Sequence, residues 1–150
     1  MVKKLTLLLL IVSTQIYAKE TYNFTLAVLW RQDTFKLADG SSFNTFTLND
    51  GYFYDDRGNS GDTSCRGVRE TGPNGNLVNL NVICQITSLS GDQFWARYLR
   101  KNTDLDGGAG KIKIISATGS FVFLKDATCT YAISFTKKSG MQKAKCELIK

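Results

Sequence analysis

The stretch TDLDGGAGKIKIISATGSFVFLKDATCTYAISF, residues 103–135, decides how the rest of the chain is interpreted. It reads as a glycine-rich loop, a short strand, a tight turn around Gly119, an apolar run and a second strand. Apolar and polar residues that alternate with a period of two indicate a β-strand with one buried face. The second strand places four residues on one face: Cys129, Tyr131, Ile133 and Phe135. The stretch therefore predicts antiparallel strands, which the upstream sequence would have to complete into a sheet.

The upstream sequence repeats the same pattern between strong turn signals. Large residues occupy alternate positions from Tyr22 to Trp30, and Asn-Asp-Gly at residues 49–51 is typical of a hairpin turn. No segment of helical length shows a period of 3.6 residues. The sequence predicts an all-β fold, a single antiparallel β-barrel of about eight to ten strands, in which the first and last strands pair and leave no exposed edge. A β-sandwich remains the alternative.

The N-terminus has the features of an export signal. Lys3 and Lys4 precede a largely apolar run at residues 5–12, and Ala18 is a small residue suited to cleavage. We predict a signal peptide at residues 1–18 and one β-barrel domain at residues 19–150, with a retained anchor as the alternative. The apolar run is too short to span a bilayer, and no later stretch approaches the required length. The expected protein is secreted or periplasmic and is not an integral membrane protein.

Four cysteines follow the predicted signal, and an even number in an exported chain indicates disulfide bonds. Cys65 and Cys84 flank the Gly-Pro-Asn-Gly turn at residues 72–75 almost symmetrically. Cys129 and Cys146 flank residues 137–140 in the same way. If both segments are hairpins, each pair lies nearly opposite across its ladder, as a bridge requires. We favour the pairs 65–84 and 129–146; bridges between the two hairpins are the alternative.

Composition excludes several classes of function. The chain contains no histidine, which removes Ser-His-Asp and Cys-His catalysis and histidine-based zinc sites. The net charge is +6; without Lys3 and Lys4, 17 basic and 13 acidic residues leave +4. These basic residues are scattered rather than gathered into the stripe of a nucleic-acid site. The sequence predicts no enzyme activity, no cofactor and no nucleic-acid partner.

One polar segment has the beginning of a calcium loop. Asn102, Asp104 and Asp106 place oxygen-bearing side chains at the first, third and fifth positions, and glycine follows at the sixth. The twelfth position is Lys113, where an EF-hand needs a bidentate glutamate. We predict no metal site, and keep a calcium site of another type as the alternative to a polar turn.

Residues 114–121, IISATGSF, resemble the turn that leads from one strand to the next in the allene oxide cyclase and dirigent barrels. In that family a strand rich in isoleucine or valine enters a Gly-Gly-Thr-Gly-x-Phe turn. Here Ser116 and Ala117 replace the glycine pair, Thr118 and Gly119 match, and Phe121 stands at the aromatic place. The resemblance implies an eight-stranded, calycin-like barrel with an apolar interior. The family's cyclase residues have no counterparts in this chain, so no activity is implied.

A non-catalytic binding or interaction module is the leading hypothesis. An eight-stranded barrel is just wide enough to be packed solid or to hold one ligand, so the partner would be an apolar small molecule inside or an extracellular or periplasmic protein on the loops. The alternatives are a cyclase- or isomerase-like enzyme that uses interior Asp, Glu, Tyr or Arg, and an envelope or surface interaction protein that uses residues 55–62 and 101–110. Six aromatic residues are expected to line the barrel: Phe24, Trp30, Phe94, Tyr98, Tyr131 and Phe135.

Overall fold

Eight antiparallel strands close into a barrel in the computed structural model, which describes residues 20–100 and 107–148. Each strand pairs with the next along the chain, and the last pairs with the first from Thr21↔Glu147 to Leu29↔Ser139. The predicted all-β fold with a single antiparallel barrel is thus confirmed, and the sandwich alternative is wrong. The strands are β1 (Thr21–Lys36), β2 (Ser42–Asp55), β3 (Ser60–Thr71), β4 (Leu77–Ser88), β5 (Gln93–Arg100), β6 (Gly107–Ala117), β7 (Thr128–Phe135) and β8 (Ser139–Glu147).

The strands are longer than the sequence suggested, so their number lies at the lower end of the expected range. β1 has 16 residues and β2 has 14. The ladder between β1 and β2 shifts register between Ala27 and Leu29, and the ladder between β2 and β3 shifts between Leu48 and Gly51. Such bulges bend a strand and increase its twist, which lets a long strand follow the curved wall of a barrel.

The segment 55–62, which we expected to be an exposed loop, is a loop only at residues 56–59, because β2 continues to Asp55 and β3 begins at Ser60. Asp55, the last residue of β2, organises the turn: its Oδ1 accepts hydrogen bonds from the backbone N–H groups of Arg57 at 3.0 Å and Asn59 at 2.7 Å. The hydroxyl of Tyr22 donates to Asp55 Oδ2 at 2.8 Å. These bonds stabilise a short turn between β2 and β3, because a single carboxylate accepts hydrogen bonds from two turn amides and from the Tyr22 hydroxyl on β1. Residues 107–110, also expected in a loop, begin β6.

A short 3-10 helix, Gly119–Leu124, closes one end of the barrel. We call it the base helix. The sequence indicated a turn around Gly119 followed by an apolar run, and it did not predict the helix. The helix forms because Asp92 accepts the N–H of Ser120 at 3.0 Å, which satisfies an amide at the start of the helix. Phe121 and Leu124 then point inward and are fully buried.

Aromatic rings fill the barrel above the base helix. The ring of Phe121 lies 5.0 Å from that of Phe94 and 5.9 Å from that of Phe53, and Phe24 lies 5.5 Å from Phe94. Most of these contacts are edge-to-face, the arrangement that favours aromatic pairs. We call Phe24, Phe53, Phe94 and Phe121 the base cluster. It forms a solid core at this end and leaves the other end of the barrel to be considered separately.

The predicted signal peptide at residues 1–18 lies outside the described residues. Within residues 20–100 and 107–148, no helix has the length and apolar character needed to cross a membrane.

Candidate functional site

A cavity of about 840 Å³ occupies the barrel between the base cluster and the opposite end. It reaches the surface beside Thr136 and Lys137, two exposed residues of the turn between β7 and β8. Its deeper wall is apolar and includes Leu26, Val28 and Leu48, each almost fully buried. In the part of the chain that the structure describes, the barrel therefore has a filled base and an accessible mouth at the opposite end.

A disulfide bond forms part of the cavity wall. Cys65 and Cys84 face each other across β3 and β4, with their Cα atoms 4.0 Å apart. The second bond joins Cys129 to Cys146 across β7 and β8, with a Cα separation of 3.9 Å. All four cysteines point inward and are buried, and none is free. Two disulfide bonds are compatible with an oxidising compartment such as the periplasm or the extracellular space.

The six aromatic residues expected to line the barrel divide into two groups. Phe24 and Phe94 belong to the base cluster and do not border the cavity. The other four do border it. The structure places Phe135 at the rim, where 37% of its surface is exposed and its ring packs edge-on against Trp30 at 6.3 Å. Tyr98 and Tyr131 lie further in and are buried.

Tyr98 and Tyr131 provide neutral hydroxyl groups inside the cavity. Their rings pack edge-to-face at 5.2 Å, and the Nε2 of buried Gln142 donates to the Tyr98 hydroxyl at 3.1 Å. Burial raises the pKa of both phenols above its ordinary value, because an apolar environment disfavours the phenolate. Since the amide is the donor to Tyr98, the hydroxyl hydrogen of Tyr98 remains available to another acceptor.

Gly110 shapes this part of the wall. It lies opposite Tyr131 in the ladder between β6 and β7. A Cβ at this position would stand 2.6 Å from the Cε1 of Tyr131 and 2.8 Å from the carbonyl oxygen of Leu99. The glycine therefore allows the ring of Tyr131 to lie directly against β6.

Two arginines line the cavity near its mouth. Arg69 pairs with Leu80 across β3 and β4, and Leu80 pairs with Arg100 across β4 and β5, so the three side chains form one inward row. Arg100 is only 6% exposed, and the Nε atoms of both arginines are buried without a hydrogen-bonding partner among the described residues. Burial, and then the positive charge of Arg100, lower the pKa of the Arg69 guanidinium.

A polar network holds Arg69 in place. Its Nη2 donates to the Oε1 of Gln32 at 3.1 Å. Gln32 in turn donates to the Oδ1 of Asn44 at 2.9 Å, and Thr34 donates to the same oxygen at 2.8 Å. Asn44 is 1% exposed, and its Nδ2 donates to the backbone carbonyl of Arg69 at 3.2 Å. Because buried Asn44 joins half-buried Gln32 and exposed Thr34 in one hydrogen-bonded network, it fixes the position of the arginine stem and of one guanidinium nitrogen.

Arg69 and Arg100 were not among the residues that we expected to line the barrel. The signal was available for both. Cys65 faces inward, and alternate residues of a strand share a face, so Arg69 is also on the inward face of β3. Phe94, Ala96 and Tyr98 carry the inward face of β5 to Arg100.

The structure offers no metal centre in the portions of the chain that it describes. No group of three or more Cys, Asp or Glu side chains is placed to hold an ion there. The candidate calcium ligands Asn102, Asp104 and Asp106 lie outside the described residues, so that alternative stays a prediction.

Comparison with known proteins identifies the fold. No family model matches the chain, and no curated protein matches its sequence. A conserved protein of unknown function from Rhodopseudomonas palustris superposes with a TM-score of 0.69 at 11% identity, over 87% of this chain and 99% of that one. An enzyme from Penicillium herquei gives 0.66 at 10% identity, over 86% and 95%. A protein of unknown function from Clostridium acetobutylicum gives 0.67 at 10%, over 84% and 98%.

At these identities the likenesses show the fold alone. None of them bears on the resemblance to the allene oxide cyclase and dirigent barrels, which stays a prediction.

Proposed function

We propose that this protein is an exported, non-catalytic binding protein that holds one small, largely apolar molecule inside its barrel. The observation that carries the proposal is the cavity of about 840 Å³. Protein interiors are normally close-packed, with few voids larger than a water molecule. Ligand pockets, by contrast, have volumes of roughly 300–1,000 Å³ and mostly apolar walls with a few polar groups. The cavity has the size and the wall of a ligand pocket.

Export supports the proposal from a second direction. The predicted signal peptide at residues 1–18 and the two disulfide bonds together favour a secreted or periplasmic protein. In such a compartment, a barrel that is filled at one end and accessible at the other would bind a poorly soluble molecule and shield it from water.

Tryptophan fluorescence tests the proposal directly. Trp30 lines the cavity, whereas Trp95 is on β5 at a position that faces away from it. In a Trp95→Phe variant, a panel of fatty acids and terpenoids should produce a saturable change in Trp30 emission for at least one compound. No change with any compound would count against binding in the barrel.

A matched pair of variants shows whether binding occurs inside. Val82 borders the cavity on β4, and its neighbour Ile83 faces outward. Val82→Phe should fill part of the cavity and weaken binding, and Ile83→Phe should leave it unchanged. Equal binding by the two variants would place the ligand elsewhere.

Catalysis is the competing proposal, and the wall chemistry makes it the weaker one. Tyr98, Tyr131 and Arg100 can donate hydrogen bonds to a reacting group, and the similar fold from Penicillium herquei belongs to an enzyme. Among the described residues no carboxylate borders the cavity, and burial raises the pKa of Tyr98 and Tyr131, which disfavours the phenolate that a tyrosine base would need. Mass spectrometry of recovered ligand should therefore find it chemically unchanged after prolonged incubation with the protein.

A further inference from the structure

We infer that the ligand is an amphiphile with one anionic head group, a carboxylate or a phosphate, which binds to Arg69 and Arg100 near the mouth of the cavity. This inference rests on the proposed function and adds the chemical class of the ligand. Its basis is the presence of two guanidinium groups on an otherwise largely apolar wall.

The charge balance of the cavity calls for an anion. Arg100 is almost fully buried, and neither Arg69 nor Arg100 forms an ion pair within residues 20–100 and 107–148. No carboxylate among the described residues borders the cavity, and Lys137 adds a third positive charge at the rim. Arginine stays protonated even when buried, so it cannot relieve the cost of burial by losing its proton. A bound anion would compensate charges that the described part of the barrel leaves unpaired.

The register places the two guanidinium groups to act together. Arg69 and Arg100 lie in one row on either side of Leu80. Their Cα atoms are therefore two strand spacings apart, roughly 10 Å. Both side chains are long enough to converge over Leu80. Their buried Nε–H groups are free of partners in the described chain. Guanidinium groups with free N–H donors match the paired oxygens of carboxylates and phosphates.

The surrounding polar groups suit the same head group. The network of Gln32 and Asn44 orients Arg69 before any ligand binds. The Tyr98 hydroxyl retains a hydrogen to donate. These donors reduce the entropy that would be lost if the site had to be assembled around the ligand.

The position of the arginines also fixes the direction of the ligand. Arg100 is the last residue of β5 and Arg69 is near the end of β3, both at the mouth. The wall between them and the base cluster contains Leu26, Leu48 and the Cys65–Cys84 bond. The head group therefore binds near the mouth, and the apolar chain extends toward the base.

Compounds that differ only in the head group test the inference. The Trp95→Phe protein is titrated at pH 8 with dodecanoate, dodecyl phosphate, dodecanol and dodecyltrimethylammonium, all below their micellar concentrations. We expect at least one of the two anions to bind about 10- to 100-fold more tightly than dodecanol, the range for hydrogen bonds to charged groups. The cation should bind most weakly. The ratio of the two anions distinguishes a carboxylate from a phosphate ligand.

Variants of the arginines locate the effect. Arg100→Met and Arg69→Met should each weaken binding of the preferred anion about 10-fold or more, and should change dodecanol binding less than about 3-fold. Arg97→Met is the matched control, because Arg97 is an exposed residue on the outer face of β5. Thermal melts verify that each variant is folded. Methionine keeps the apolar stem and removes a buried charge, so we expect the folded barrel to persist.

The possible outcomes separate the two proposals. Equal affinity for dodecanoate, dodecyl phosphate and dodecanol, or the same loss in Arg97→Met as in Arg100→Met, would overturn the anionic head group and leave the proposed function standing. Binding of no compound would overturn both.

Discussion

Phe121→Ala is the substitution that tests how the base of the barrel is held. Phe121 is fully buried, and its ring lies 5.0 Å from Phe94 and 5.9 Å from Phe53. Truncation of a buried phenylalanine costs about 3–5 kcal/mol, through lost burial and the cavity that remains. We therefore expect a loss of about 4 kcal/mol, a large part of the 5–15 kcal/mol typical of a domain.

Urea denaturation followed by circular dichroism measures this loss. With a slope of about 2 kcal/mol/M, the midpoint should fall by roughly 2 M. Val122→Ala is the control, because Val122 is the next residue of the base helix and is 53% exposed. Its effect should stay within about 0.5 kcal/mol. If the midpoints of Phe121→Ala and Val122→Ala fall by similar amounts, the base helix is not packed into the barrel as described, and the reasoning is refuted.

Three further predictions concern the wall and the second disulfide bond. Burial raises the pKa of Tyr98 in the folded state, so the neutral phenol's contribution to stability is complete below the unfolded pKa of about 10 and is lost as the pH rises above that value. In thermal melts from pH 8 to 11, the melting temperature should therefore fall less for Tyr98→Phe than for the wild type. Identical pH dependence of the two melting temperatures would contradict this. Replacing Cys129 and Cys146 with alanine should lower the free energy of unfolding by about 3 kcal/mol in a urea titration, because the bond constrains the unfolded chain; an unchanged midpoint would contradict it. Gly110→Ala should cost about 1–3 kcal/mol in the same assay, since its Cβ would meet the Tyr131 ring at 2.6 Å; a neutral effect would show that the ring lies elsewhere.

The barrel was predictable because alternation in sequence translates directly into two faces of a strand. The inward row Leu80, Val82, Cys84 and Ile86 of β4 follows from its period of two. Hairpin symmetry about the turns places Cys65 opposite Cys84, because antiparallel partners stand at equal distances from a turn.

The base helix and the cavity were not predictable on the same basis. A 3-10 helix of six residues is too short to show a period, and its formation depends on Asp92, which is remote in sequence from Ser120. Whether inward side chains fill a barrel depends on how rows from different strands stack. Phe24 and Trp30 lie on the same face of β1, yet Phe24 packs in the base cluster and Trp30 borders the cavity. The sequence does not reveal that the two side chains lie at different positions along the barrel axis.

A crystal structure of the complex with dodecanoate would test the central claim most directly. The account predicts electron density for the chain in the cavity beside Leu26 and the Cys65–Cys84 bond, with carboxylate oxygens within hydrogen-bonding distance of the Arg69 and Arg100 guanidinium groups. A barrel whose own side chains fill this space, with both arginines turned out to solvent, would contradict it.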